Sequence, residues 1–309
     1  MIQPTSARWP ALLLAAVPFL ASASALQSDT EMLQRGKQVF DAASCAICHT
    51  DYENNGKPLA GGLALKTDFG TFYAPNITPD KETGIGNWSD QDFVRAMREG
   101  VAPDGRHYYP SFPYTAYTKM REQDMLALKA YLFTREPVKQ ANREHELPFY
   151  VRYSPSAWAW KFKYFEAGEY RDDRERSAEW NRGAYLVEAM GHCTECHSPR
   201  EGLGAIDEDR LYAGVQQLTG VGTVPNITPD KKTGIGRWSL DDLVYYFETG
   251  ITLSGDSSGG KMAGIIDDSL SKLPASDRRA IAAYLLSLKP VENQLKKKKK
   301  EKKEEFEFM

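Results

Sequence analysis

Cys45-Ala46-Ile47-Cys48-His49 and Cys193-Thr194-Glu195-Cys196-His197 are the stretches on which the fold turns, and together they use all four cysteines of the chain. Around them one unit is written twice. Arg35-Gly36 precedes the first motif and Arg182-Gly183 the second. Downstream, the segment from Pro75-Asn76-Ile77-Thr78-Pro79-Asp80 to Ser89 recurs from Pro225 to Ser239, an offset of 150 residues, and differs only at Glu82/Lys232 and Asn87/Arg237. A later helical stretch in each half contains Ala-Tyr-Leu, at Ala130 to Leu132 and at Ala283 to Leu285. The order of parts is the same in both halves, so duplication of one domain is the economical account.

The periodicity predicts helices at Glu31 to Ala42 and Glu179 to Ala189, leading into the motifs, and at Asp90 to Glu99 and Leu240 to Glu248. The last two follow Ser89 and Ser239, each with an aspartate three positions on, a variant of the capping box. Final helices are expected from Asp124 to Thr134 and from Asp277 to about Leu288. No sustained period-2 alternation is present, so both halves should be mainly helical.

Length allows two domains. A hydrophobic content of 41% and a charged content of 26% are those of a globular protein. The net charge of −3 gives no basis for binding nucleic acid. At the N-terminus the apolar run Ala11 to Leu20 precedes Ala23-Ser24-Ala25, a pattern that predicts a secretory leader over residues 1–25. No later stretch approaches the ~20 apolar residues of a membrane span. The C-terminal run Lys296 to Lys300, followed by mixed Lys and Glu, reads as a solvated tail over residues 294–309, or as peripheral contact with anionic lipid or an acidic partner. Without the single positive charge of the leader and the net +3 of the tail, the body lies near −7.

Four cysteines in an exported chain could form two disulfides, a redox dithiol or zinc ligands. Histidine directly after the second cysteine, in both copies, points instead to covalent haem attachment. Cys45, Cys48, Cys193 and Cys196 would form thioethers to two haem c groups, with His49 and His197 binding iron from one side. On the opposite face, Met262 in the small-residue loop Gly259-Gly260-Lys261-Met262 is the candidate ligand of the second iron; a thioether there raises the reduction potential. The corresponding first loop, His107 to Tyr114, has no methionine, which leaves His107, Met120 or an open site. Met120 aligns with Leu273, and Met97 and Met125 fall on predicted helices. His145 and His192 read as ordinary polar residues.

The run Arg182 to Arg200, both Pro-Asn-Ile-Thr-Pro-Asp segments and the loop Tyr109 to Tyr114 resemble the multihaem class I cytochrome c subunits of bacterial periplasmic dehydrogenases acting on alcohols, aldehydes or sugar acids. The resemblance spans nearly the whole mature chain. It implies an all-α fold of two tandem class I cytochrome c domains, at 26–136 and 178–293; between them residues 137–177, dense in aromatics, read as a linker. It implies Pro75 and Pro225 as carbonyl partners of the proximal imidazoles, with Trp88 and Trp238 near the haem edges or in the core. It also implies a periplasmic electron carrier, with a dehydrogenase subunit as donor and quinone, another cytochrome or an oxidase as acceptor. Two departures stand out: members often carry three haem motifs, and many have methionine where this chain has Phe112. The second keeps a rival reading in view, a peroxidase-like or thiosulfate-oxidising dihaem enzyme with the first haem as an open site. A zinc-binding interaction protein is the third.

Overall fold

The computed structural model describes residues 18–152 and 155–296. The predicted leader up to residue 17 and the tail beyond residue 296 lie outside the described residues. In chain order the helices are α1 (Pro18–Ala42), α2 (Cys45–His49), α3 (Asp90–Glu99), α4 (Tyr114–Tyr117), α5 (Glu122–Leu132), α6 (Phe149–Arg152), α7 (Pro155–Tyr164), α8 (Ala178–Tyr185), α9 (Thr194–His197), α10 (Leu240–Thr249), α11 (Gly260–Asp268) and α12 (Ala275–Ser287). Two antiparallel hairpins join them, β1 (Ala64–Thr67) with β2 (Gly70–Tyr73), and β3 (Val215–Leu218) with β4 (Gly222–Val224). These hairpins were not expected. Strands of three or four residues are too short to show alternation.

In each half the helix before the cysteine motif crosses the last helix at a glycine. A Cβ on Gly36 would lie 2.0 Å from the Ala127 carbonyl of α5, and one on Gly183 would lie 2.0 Å from that of Ala280 on α12. Tyr131 and Tyr284, the tyrosines of the two Ala-Tyr-Leu sequences, pack on the same crossings. The arginine before each glycine pairs with an acid on the last helix: Arg35 Nε with Asp124 at 2.5 Å, and Arg182 Nη2 with Asp277 at 2.7 Å. The repeated Arg-Gly is thus a helix-crossing device, small for close approach and charged to fix the angle.

Ser89 and Ser239 close the expected capping boxes with Asp92 and Asp242. The glycine-rich stretch at Gly259 departs from expectation: Gly260 to Asp268 is a helix, anchored by Ile266 at 1% exposure. Tertiary burial outweighs the poor helix propensity of glycine here. Helix α8 continues as a π-helical turn from Leu186 to Met190, with Gly191 N–H bonded to Leu186 O at 2.7 Å, directly before the second motif.

The linker is bonded to what it joins. Val138 O accepts Asn76 Nδ2 at 2.7 Å, Glu146 pairs with Thr71, and Gly168 N–H reaches Thr118 Oγ1 at 3.0 Å. Trp160 Nε1 donates to Leu203 O of the second half at 2.9 Å. Other aromatics face outward: Phe149 and Phe162 are 81% and 83% exposed. Among the described residues no helix is long and apolar enough to cross a membrane.

Candidate haem-binding site

The duplicated segment is a self-bonded loop. Asn76 Oδ1 accepts from the backbone and hydroxyl of Thr78, and Asp80 Oδ1 accepts from those of Thr83 at 2.7 Å each. Asn226 with Thr228 and Asp230 with Thr233 repeat the pattern. Gly84 and Gly86 are needed because a Cβ would meet the Thr78 and Pro79 carbonyls at 2.2 and 2.3 Å. Such asparagine and aspartate turns satisfy the loop's own backbone. After the last helix the chain locks the loop in place, through Val138 in one half and Val291 in the other.

What the loop presents is the proline carbonyl before the asparagine. His49 Nδ1 lies 2.7 Å from Pro75 O, and His197 Nδ1 lies 2.8 Å from Pro225 O. A carbonyl only accepts, so Nδ1 carries the proton and Nε2 keeps its lone pair. That is how a metal-binding imidazole is oriented by a partner on its other nitrogen. Burial holds both imidazoles below their ordinary pKa, against a smaller upward pull from the carbonyls. Gly61 and Gly214, at φ +77° and +83°, sit between the histidine backbone and the proline segment, and their N–H groups bond to His49 O and His197 O.

The four thiols are not bonded to one another. Burial pushes Cys45 and Cys193 up to about 12 and Cys196 to about 11. Among the described residues no three His, Cys, Asp or Glu side chains converge as a metal cage. Two thiols three residues apart, the second directly before an imidazole with a free Nε2, fit a covalently attached haem, and the arrangement occurs twice.

Beyond the loop the halves share a register. Tyr108 N–H bonds to Gly100 O at 2.8 Å and Ser258 N–H to Gly250 O at 2.7 Å, which makes Phe112 the counterpart of Met262. Met262 is half-buried in the first turn of α11. Phe112 sits among Tyr108, Tyr114 and Tyr117, with ring centroids 5.5, 6.4 and 5.6 Å away. His107 Nδ1 lies 3.1 Å from Lys161 Nζ, which also donates to the Glu99 and Gly100 carbonyls. Met120 is buried in the core just before α5, as Leu273 is before α12. Trp88 and Trp238 are partly buried against that core. Sequence reasoning missed Lys161, because nothing in the linker's composition shows that this lysine turns inward, 54 residues from the histidine it meets.

The halves meet at their cysteine motifs. Helix α11 packs on α2. Thr115 Oγ1 donates to Glu195 Oε1 at 3.0 Å, Ser269 Oγ to Asp41 O at 2.5 Å, and Tyr185 Oη to Asp124 Oδ2 at 2.5 Å. His145, expected to be an ordinary polar residue, accepts Tyr73 N–H on Nδ1 at 3.1 Å.

Residues 33–136 match the family described as cytochrome c. A diheme cytochrome c-type protein of Cereibacter sphaeroides is 44% identical over 264 residues, 84% of this chain and 86% of that one. A nicotinate dehydrogenase subunit of Pseudomonas putida is 46% identical over 261 residues, 83% of this chain but 21% of its own length. The fructose dehydrogenase cytochrome subunit of Gluconobacter japonicus is 40% identical over 258 residues, 83% of this chain and 52% of its own. The chain therefore spans most of the first relative, about a fifth of the second and about half of the third.

Proposed function

This chain belongs to the c-type cytochrome family, and from that premise we propose that it is a dihaem electron carrier working outside the cytoplasm. It takes electrons from a partner dehydrogenase subunit and delivers them to quinone, another cytochrome or an oxidase. The observation that carries this reading is the pair of identical constellations, each with two thiols, an imidazole and a proline carbonyl on Nδ1. The names of the relatives, cytochrome subunits of fructose and gluconate dehydrogenases among them, support a dehydrogenase as electron donor. The leader-like N-terminus supports export.

The chain is organised as two tandem class I cytochrome c domains, with the aromatic linker holding their spacing. Cys45, Cys48, Cys193 and Cys196 would attach the haems, and His49 and His197 would bind the irons. When bound, the haem supplies one-electron redox chemistry. The protein's own work is to orient each imidazole and exclude water, and Met262 would offer the second iron a thioether. A thioether ligand would raise the potential of that centre.

One observation favours a second reading, a dihaem oxidoreductase acting at the first haem. Phe112 stands where Met262 does, His107 is engaged by Lys161, and Met120 lies in the core. A first iron lacking a protein ligand on that face would bind peroxide or another small molecule. Absorption spectra of the reduced protein with and without carbon monoxide separate the two. No shift supports two six-coordinate centres and the carrier; a shift at one haem supports the enzyme. Repeating the spectra on His107→Ala and Met120→Leu identifies the ligand, since only loss of a real donor opens the site.

A further inference from the structure

Helix α7 turns its charge inward and its rings outward. Ala157 and Lys161, one turn apart, are 5% and 8% exposed, while Trp158 and Phe162 beside them are 54% and 83% exposed. The Lys161 ammonium donates to the Glu99 and Gly100 carbonyls at the end of α3, where the helix dipole favours a cation. With the lysine clamped there, the two rings stand in solvent, stacked with centroids 5.8 Å apart and planes at 20°. A surface helix ordinarily does the reverse. In α6 Phe149 and Tyr150 are exposed as well.

The face extends beyond the linker. Trp160 Nε1 holds the Leu203 carbonyl at 2.9 Å, and the Leu203 side chain is exposed. Next to it the Phe69 ring lies on Gly204, where a Cβ would come within 2.8 Å. Phe69 is at the tip of the β1–β2 hairpin, and Asp68 there accepts the hydroxyl of Thr219 at the tip of β3–β4, close to exposed Val221. The chain leaves the body from this second hairpin: Gln216 of β3 bonds to the Lys296 backbone through Oε1 and Nε2, at 2.5 and 3.1 Å. From Lys296 to Met309 the sequence has seven lysines and four glutamates.

We propose that this face docks on an anionic bilayer surface, with the rings of α6 and α7 entering the headgroup layer and the lysine-rich tail meeting the lipid phosphates. From Leu147 to Phe165 the chain has eight aromatics, three basic residues and no acid. That is the composition of a segment that lies in the membrane interface. A body near −7 is repelled by anionic lipid, so contact must go through a stretch without acids. One apolar signal gives weak, reversible binding, and a basic segment beside it makes the second. A bilayer also accepts rings that stand out singly, whereas a protein partner needs a shaped complement. The proposal concerns where the chain sits and is independent of the number of haems.

The test is flotation of the full-length haem-loaded protein with vesicles of phosphatidylcholine, alone or mixed with phosphatidylglycerol. Two variants strip rings, Trp158→Ser with Phe162→Ser, and Phe149→Ser with Tyr150→Ser. A third, Trp158→Phe with Phe162→Trp, keeps them, and a fourth changes Lys297, Lys298, Lys299 and Lys300 to Gln. Haem content and melting temperature are measured for each, so that a misfolded variant is recognised. The parent should float with the mixed vesicles and far less with phosphatidylcholine alone. Each serine pair should weaken binding about tenfold at an unchanged melting temperature, while the ring-keeping variant binds as the parent does. The glutamine variant should lose most of the salt dependence. A folded serine pair that floats like the parent overturns the proposal, since the tail alone would then hold the protein. Equal flotation with both kinds of vesicle overturns the anionic surface. A parent that stays off both overturns the docking outright and leaves the face to a protein partner.

Discussion

Phe112 and Met262 occupy one register, and that single side chain is the main chemical difference between two otherwise parallel sites. Replacing Met262 with alanine should lower the potential of the second haem sharply and leave the first nearly unchanged; a redox titration followed in the visible spectrum reads both, and an unmoved pair would remove Met262 from the ligand set. The proposed attachment residues come from the sequence itself, because C-x-x-C-H carries its chemistry in its spacing. So was the proline carbonyl partner, through the family resemblance. The engagement of His107 by Lys161 was not legible, since it depends on where a distant linker lysine points.

Helix crossings carry the next level. Gly36→Ala and Gly183→Ala would each push a methyl group into a backbone carbonyl 2.0 Å away, where nothing flexible can yield. Each should destabilise its half by about 1–3 kcal/mol, the range for overpacking, and lower the midpoint of urea unfolding accordingly. The hairpin β1–β2 is tied down by His145, whose Nδ1 must be unprotonated to accept Tyr73 N–H. Burial, then the charge of Arg106, hold this imidazole below its ordinary 6.5. The unfolded chain therefore takes up the proton first as pH falls, so this contribution is present above about 6.5 and is lost below it. His145→Gln should flatten the pH dependence of unfolding in that window; an unchanged slope would exclude the histidine as its source. Capped helices were readable in advance because a serine with an aspartate three positions on is local chemistry. The hairpins and α11 were not, because both depend on packing that short-range pattern does not encode.

At the scale of the whole chain, two copies of one design face each other through their cysteine motifs. The seam is polar and specific: Tyr185 of the second half donates to Asp124 of the first at 2.5 Å and accepts Arg121 N–H at 2.9 Å. Tyr185→Phe leaves Asp124 with Arg35 but leaves Arg121 N–H without its acceptor, and should cost about 1–3 kcal/mol in a chemical unfolding experiment. Duplication was visible in the sequence as a repeat at fixed offset, but the face by which the copies meet was not, because the interface residues Tyr185 and Thr115 are not repeated: Gln38 and Ile265 stand at the matching positions. The central claim is that the chain carries two covalent haems. Pyridine haemochrome of the protein matured in an exporting host, set against protein concentration and intact mass, tests it directly. Two haems per chain that survive acid-acetone extraction are predicted; one haem, none, or haem that extracts freely would contradict the account.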